Sequence, residues 1–109
     1  MRPRLALVPG EPAGVGPELC IRALQRVHDA DITVFGDRAT LARAASAIGL
    51  PPPDFIDVGN MRMAAPGHAR IVDVPAAVAA EFGQPDPRNA PAVIAALQRA
   101  AAEIGRAHV

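Results

Sequence analysis

The chain has 109 residues, half of them hydrophobic, which is enough for one domain with a core of its own. Eleven basic residues balance eleven acidic ones, which argues against the broad cationic face that nucleic acids or anionic membranes select. The single cysteine, Cys20, excludes an internal disulfide and suits a reducing cytoplasm, and we expect it to be a small core residue.

An apolar run at residues 4–8 opens the chain and predicts a buried β-strand, because it is too brief for a core helix and ends in Pro-Gly. It is also too short for a signal peptide or a membrane span. A loop rich in glycine and proline follows, PGEPAGVGPE at residues 9–18. Helical spacing then predicts a helix over residues 17–28, with an inward face formed by Leu19, Ala23, Leu24 and Val27.

A second strand is predicted at residues 31–36, which are β-branched and aromatic and end in glycine. Asp37 can cap a second helix that stops at Gly49. Its predicted inward face consists of Leu41, Ala44, Ala45 and Ile48. Strand, helix, strand and helix in this order predict parallel pairing with right-handed crossovers, and hence an α/β sheet covered on both faces.

The pattern is weaker after Gly49. We predict a short strand at residues 55–58, a loop at 60–68, and a strand near a sheet edge at 70–75, where polar and apolar residues alternate. Residues 76–88 show no stable period. A third helix begins at Asn89, with one face formed by Val93, Ile94, Leu97 and Ala101.

The glycine spacing of the first loop excludes two standard phosphate motifs. Gly10, Gly14 and Gly16 match neither the Rossmann G-x-G-x-x-G nor the P-loop, and no lysine follows. A strand that turns through such a loop into a helix nevertheless presents unpaired N–H groups where anions and dinucleotides bind. The residues alone leave two interpretations open: a tight turn with solvated Glu11 and Glu18, or a surface shaped for a ligand.

The sequence PGEPAGVGPE closely resembles the opening signature of the 4-hydroxythreonine-4-phosphate dehydrogenase family, P-G-[ED]-P-A-G-[IV]-G-P-[ED]. The segments VFGD at residues 34–37, IGLP at 48–51 and the stretch from Gly83 follow the family in the same order. The resemblance implies an α/β fold, the N-terminal part of a two-lobe structure like that of isopropylmalate and isocitrate dehydrogenases. In that fold a mainly parallel sheet has flanking helices, and the active site lies between the lobes and across a dimer interface.

The same resemblance implies a cytoplasmic oxidoreductase that uses NAD and is a homodimer when complete. It would oxidise the 3-hydroxyl of a phosphorylated small molecule, 4-phosphooxy-L-threonine, with decarboxylation to 3-amino-2-oxopropyl phosphate, in pyridoxal phosphate (vitamin B6) biosynthesis. Isopropylmalate relatives carry a related loop beside the dinucleotide. The candidate cofactor-binding residues are therefore Gly10, Glu11, Gly14 and Gly16.

We expect this chain to supply no catalytic residue and no metal ligand. The family holds a divalent metal through histidines in segments beyond the third helix, and none of His28, His68 and His108 has the surroundings of a ligand. The 109-residue chain alone is therefore expected to be inactive. Nucleic acid and membrane are not expected partners.

The end of the sequence departs from the family pattern. We interpret residues 1–103 as the truncated N-terminal portion of such a dehydrogenase and residues 104–109 as a non-native tail. A common sequencing adapter, translated in this frame, gives Ile-Gly-Arg-Ala-His-Val followed by a stop codon. The coding DNA after Glu103 tests this interpretation.

Three alternatives stay open. A related dehydrogenase could act on phosphothreonate or an aromatic dihydrodiol, because the residues that separate these substrates lie outside the sequence. A small non-enzymatic α/β module could bind an anion through the glycine loop. An isopropylmalate-type dehydrogenase is disfavoured, because Pro12 and Ala13 stand where that group has a shorter Gly-Asp-Gly loop.

Overall fold

The computed structural model describes residues 4–25, 31–52, 54–57 and 68–107, with the backbone alone at 54–57, 68–69 and 104–107. The elements in chain order are β1 (Arg4–Leu7), α1 (Gly16–Leu24), β2 (Asp31–Gly36), α2 (Arg38–Ala47), β3 (Asp54–Asp57), β4 (His68–Asp73), a 3-10 turn (Pro87–Asn89) and α3 (Ala90–Ala107). The predictions for Val27, Val58 and residues 60–67 lie outside the described residues. The interpretation of residues 104–109 stays a prediction.

The four described strands form one sheet in the order β1-β2-β4-β3, and every neighbouring pair is parallel. The predicted α/β class with a mainly parallel sheet is thus confirmed. The prediction that residues 70–75 form a strand near an edge is wrong, because β4 lies between β2 and β3. Its apolar residues are covered from both faces, since Ile71 packs in the cluster below α1 and α2 and Val72 packs in the one below α3. Arg70 lies inside the strand and pairs with both β2 and β3, and only Asp73 lies at its end.

Helices α1 and α2 cover one face of the sheet. The cluster contains Ile21 and Leu24 of α1 and Leu41 of α2, packed over Val34 and Ile71. The predicted inward residues Leu41, Ala44 and Ala45 are buried, and Gly49 ends the helix with φ +72°. Cys20 lies in the same cluster, as predicted.

The predicted inward face of α1 is wrong at Leu19, whose side chain is 60% exposed. The buried residues of this helix are Pro17, Cys20, Ile21 and Leu24. Their spacing of three to four residues forms one stripe, and Leu19 lies outside it.

Helix α3 covers the opposite face through its smallest side chains. Ala96 and Ala100 pack against Phe35 of β2, while Ile94 and Leu97 are more than half exposed. The predicted inward face of α3 is therefore wrong at Ile94 and Leu97, and also at Ala101, which is exposed. Alanines allow the helix to approach the ring of Phe35 closely, and the larger side chains consequently point away from the sheet.

Strand β1 is less buried than predicted, because it lies at the edge of the described sheet and Leu5 is 50% exposed. Ala6 and Val8 still pack with the Phe35 cluster below α3. Within the described residues, no helix combines the length and the hydropathy that crossing a bilayer requires.

Candidate functional site: the glycine loop at the carboxyl edge of the sheet

The carboxyl ends of parallel strands meet at one edge of a sheet, which is where ligands bind in open α/β folds. Here the glycine loop, residues 9–16, follows β1, while Asp37 follows β2 and Val74 follows β4. The Val74 N–H donates a 2.9 Å hydrogen bond to the Gly36 oxygen, which joins two of these strand ends.

A small pocket opens between the glycine loop, the start of α2 and the side of α3. Residues that line it include Pro9, Gly10, Pro12, Asp37, Thr40 and Val93. Its volume of about 30 Å³ has room for roughly two water molecules. A ligand of dinucleotide size would therefore have to lie along the rim of the pocket.

The side chain of Glu11 folds back onto the loop that carries it. Its Oε1 atom accepts a 3.2 Å hydrogen bond from the Ala13 N–H, and its backbone oxygen accepts one of 2.9 Å from the Gly14 N–H. Glu11 thus holds the turn together at its centre. Its second carboxylate oxygen makes no hydrogen bond within the described part of the chain.

Each glycine of this loop fits its position for a different structural reason. Gly10 has φ +77°, a conformation that L side chains rarely adopt, and its Cβ position has no atom within 4 Å. A Cβ on Gly16 would overlap the Pro9 carbonyl oxygen, so only glycine lets α1 start against the end of β1. At Gly14 a Cβ would lie 3.4 Å from the Glu11 oxygen, a tight but possible contact.

Two helices begin at this edge, and only α1 begins without a side-chain cap. Its N-cap residue is Val15, whose side chain offers no acceptor, and Pro17 has no N–H, so the open donors of its first turn are limited to Gly16 and Glu18. Asp37 caps α2 by accepting from the Thr40 N–H at 3.2 Å. Asp73 Oδ1 accepts from the Arg38 N–H at 3.0 Å. The two carboxylates at the start of α2 would repel an anion, whereas the start of α1 has N–H donors that could bind one.

A segment without any regular sequence pattern supports the loop from outside. The Gly83 N–H donates a 2.9 Å hydrogen bond to the Ala13 oxygen, and Gly83 belongs to a tight turn closed by Gln84 N–H to the Glu81 oxygen at 3.0 Å. Sequence reasoning missed this contact. The available signal was the single Gly83 within residues 76–88, a residue typical of turns.

Three titratable groups among the described residues have shifted pKa values, and none of them lines the pocket. The side-chain hydrogen bond to Asp86 raises the pKa of the Arg88 guanidinium. Burial raises the pKa of the Cys20 thiol to about 11. The side-chain hydrogen bond from Arg88, followed by its backbone hydrogen bond, lowers the pKa of Asp86 to about 2. Within the described residues no group of three or more His, Cys, Asp or Glu could hold a metal ion. His28 and His108 lie outside that part of the chain, and His68 contributes only its backbone.

The structure places the four predicted cofactor-binding residues in one loop, with Gly10 on the wall of the pocket. The free space at Gly10 and the uncapped start of α1 fit the close approach of an anionic cofactor. Contact with a cofactor stays a prediction for all four.

Comparison with known proteins identifies relatives over nearly the whole chain. A 4-hydroxythreonine-4-phosphate dehydrogenase of Stenotrophomonas maltophilia (strain R551-3) is 50% identical over 98 residues, covering 89% of this chain and 29% of the relative. One of Xanthomonas axonopodis pv. citri (strain 306) is 48% identical over 108 residues, covering 94% of this chain and 32% of the relative. No protein-family model matches.

The solved structures agree on the fold. The crystal structure of a 4-hydroxythreonine-4-phosphate dehydrogenase from Klebsiella pneumoniae superposes with a TM-score of 0.83 at 22% identity, covering 100% of this chain and 35% of that chain. The relatives at 50% and 48% identity confirm the family resemblance predicted from the glycine loop, and this solved structure supports the fold alone. The chain spans about 30% of the length of the curated relatives that it matches.

Proposed function

We propose that this chain, a relative of the 4-hydroxythreonine-4-phosphate dehydrogenases, is the N-terminal portion of a cytoplasmic, NAD-dependent enzyme that acts as a homodimer. The complete enzyme oxidises the 3-hydroxyl of 4-phosphooxy-L-threonine, with decarboxylation to 3-amino-2-oxopropyl phosphate, in pyridoxal phosphate biosynthesis. The observation that carries the proposal is the 50% identity to the Stenotrophomonas dehydrogenase over 98 residues.

The part of the work that we assign to this chain is cofactor binding by the glycine loop. When bound, NAD supplies the acceptor for the hydride that leaves the hydroxyl-bearing carbon of the substrate. Gly10 gives the ligand close access to the backbone because no atom occupies the space of its missing Cβ. The Gly16 N–H lies at the uncapped start of α1, where the positive end of the helix dipole would favour an anionic group of the bound cofactor.

Glu11 and Gly14 complete the proposed contact surface. One Glu11 oxygen holds the Ala13 N–H, and the other is available to accept from a ligand hydroxyl. Gly14 keeps the turn free of a side chain beside Glu11. We assign no metal step to the described residues, because none of their carboxylates, thiols or imidazoles form a ligand cluster. A divalent metal of the complete enzyme would be held by residues outside this chain.

The test uses the complete coding sequence that contains this segment. Purified protein is incubated with NAD, a divalent metal and 4-phosphooxy-L-threonine, and NADH formation is followed by absorbance. We expect NADH and carbon dioxide in equal amounts, since each oxidised molecule loses one carboxylate. Phosphothreonate and an aromatic dihydrodiol serve as comparison substrates. A higher kcat/KM with phosphothreonate or the dihydrodiol would identify that compound as the substrate. The absence of NAD reduction with all three compounds would refute the proposed activity.

The isolated 109-residue chain is the control for the alternative of a small anion-binding module. Under the proposed function it has no dehydrogenase activity with NAD and substrate. A stable monomer that binds inorganic phosphate on its own, together with an inactive complete protein, would favour the module instead.

A further inference from the structure

The glycine loop is tied to a distant part of the chain through Ala13. The backbone oxygen of Ala13 accepts the 2.9 Å hydrogen bond from Gly83, while its N–H donates to Glu11 Oε1 at 3.2 Å. Ala13 is only 5% exposed while Gly83 is exposed, so the bond between them is shielded from water on the side of its acceptor. Among the described residues, the Gly83 bond is the one hydrogen bond that joins this loop to a distant segment.

The donor of this bond depends on an unusual backbone conformation. Gly83 has φ +79°, and a Cβ there would meet no atom within 4 Å. Glycine is therefore required at this position by its backbone conformation, and packing does not restrict it. The turn is closed by the Gln84 N–H, so the direction of the Gly83 N–H is fixed by the turn itself.

The segment that carries the turn is anchored at both of its ends. We call residues 74–89 the brace. At its start the Val74 N–H bonds to the Gly36 oxygen at the end of β2. Near its other end, Asn89 is fully buried and its Oδ1 atom accepts from the Val78 N–H at 3.0 Å. The Val74 bond thus holds the start of the brace to the sheet, and the Asn89 bond closes the brace on itself directly before α3, so the brace contacts the glycine loop from a fixed base.

We propose that Gly83 is a positioning residue for the cofactor site: its N–H fixes the glycine loop against the brace, and this determines the affinity for NAD. The inference rests on the proposed function of the loop. Gly83 touches neither substrate nor cofactor. It acts through Ala13, whose position sets those of the flanking Glu11 and Gly14.

The test compares two glycine substitutions in the complete protein. Gly83→Ala and Gly49→Ala place the same methyl group at positive φ, and neither methyl meets an atom within 4 Å. The backbone strain is matched, but only Gly83 bonds to the loop. We expect Gly83→Ala to raise the Kd and the KM for NAD about tenfold with little change in kcat, because the strain of alanine at positive φ displaces the N–H of residue 83 from the Ala13 oxygen. Gly49→Ala should leave the Kd and the KM for NAD unchanged.

Rescue and amide exchange complete the experiment. Gly83→Asn should restore most of the NAD affinity, because asparagine tolerates positive φ better than alanine. In hydrogen exchange, the amides of Ala13 and Gly14 should exchange faster in Gly83→Ala than in wild type or Gly49→Ala. Equal NAD affinities for the two alanine variants, or equal exchange at Ala13, would overturn the positioning role.

The exchange measurement separates this inference from the function on which it rests. If the wild-type protein binds no NAD, the proposed function fails. Exchange at Ala13 and Gly14 then decides alone whether Gly83 positions the loop, with Gly49→Ala as its reference.

Discussion

The carbonyl group of Pro9 occupies the position that a Cβ atom on Gly16 would take. A Cβ on Gly16 would overlap the Pro9 oxygen and lie 2.8 Å from the Pro9 carbonyl carbon. Both neighbours are backbone atoms between β1 and α1, so neither can rotate away. The approach of the helix to the strand end, and with it the shape of the loop between them, depends on glycine at this position.

Gly16→Ala is therefore expected to destabilise the fold. Overpacking against rigid backbone costs about 2 kcal/mol or more of the free energy of unfolding. Gly14→Ala is the matched control, because its Cβ would lie 3.4 Å from the Glu11 oxygen and the change would stay within about 1 kcal/mol. Urea unfolding followed by circular dichroism measures both. Equal midpoints for the two variants would contradict the close packing seen at Gly16.

The cap of α2 gives a second prediction. Asp37 accepts from the Thr40 N–H at 3.2 Å and from its hydroxyl at 2.6 Å. Asp37→Ala removes both acceptors and should lower the free energy of unfolding by about 1 kcal/mol, the usual cost of a lost N-cap. Asp37→Asn keeps an acceptor oxygen and should recover most of this loss. An alanine variant as stable as wild type would show that the cap contributes nothing.

Much of this region could be predicted from local sequence because the signals are local. Asp37 as a cap, Gly49 as a stop and the buried face of α2 follow from propensity and spacing within one helix. The inward face of α3 could not be predicted in the same way. Its apolar residues surround much of the helix, and the neighbour that selects Ala96 and Ala100 is Phe35, distant in sequence.

The same distinction holds at the candidate site. The glycine loop carries its own signature, so its position after β1 was predictable. Its contact with Gly83 was not, because one backbone hydrogen bond between distant segments leaves no periodic pattern. The carboxylate of Asp73 at the start of α2 is another case, since it depends on the pairing of β2 with β4.

Cys20 should be inert in the folded chain. Its side chain is 6% exposed, and burial raises its pKa from the usual 9.0 to about 11. At pH 8 the thiolate that attacks a disulfide reagent is therefore scarce as well as inaccessible. We expect slow reaction with a chromogenic disulfide in the native state and complete reaction in urea. Fast, stoichiometric labelling without denaturant would contradict the core position.

The same shift makes stability depend on alkaline pH. The folded state holds the Cys20 proton more tightly than the unfolded state, so this contribution is complete below pH 9.0 and is lost as the pH rises through about 11. Cys20→Ala removes the titrating group. As the pH rises over that range, the free energy of unfolding of wild type should therefore fall relative to that of Cys20→Ala. A difference independent of pH would contradict the shifted pKa.

Asn89 connects the brace to the third helix. Asn89→Ala would leave the half-buried Val78 N–H without its acceptor, which costs about 1 kcal/mol of the free energy of unfolding. The Nδ2 atom of Asn89 has no hydrogen-bond partner among the described residues, so its loss removes no such bond. Thermal unfolding measures the change. Gln98→Ala, on the exposed side of α3, is the control and should change stability little.

The ion pair at the 3-10 turn predicts a dependence on acidic pH. Arg88 lies 2.6 Å from Asp86 Oδ2, and its hydrogen bonds to the carboxylate hold the pKa of Asp86 near 2, below the usual 3.8. A depressed carboxyl pKa stabilises the fold above pH 3.8, and this contribution disappears as the pH falls through about 2. Arg88 is exposed and Asp86 is partly exposed, so salt should weaken the effect. Carboxyl carbon NMR titration should show the Asp86 midpoint moving back towards 3.8 in Arg88→Gln, with its backbone bond from residue 88 retaining part of the shift. An unchanged midpoint would mean that the side chain of Arg88 does not cause the shift.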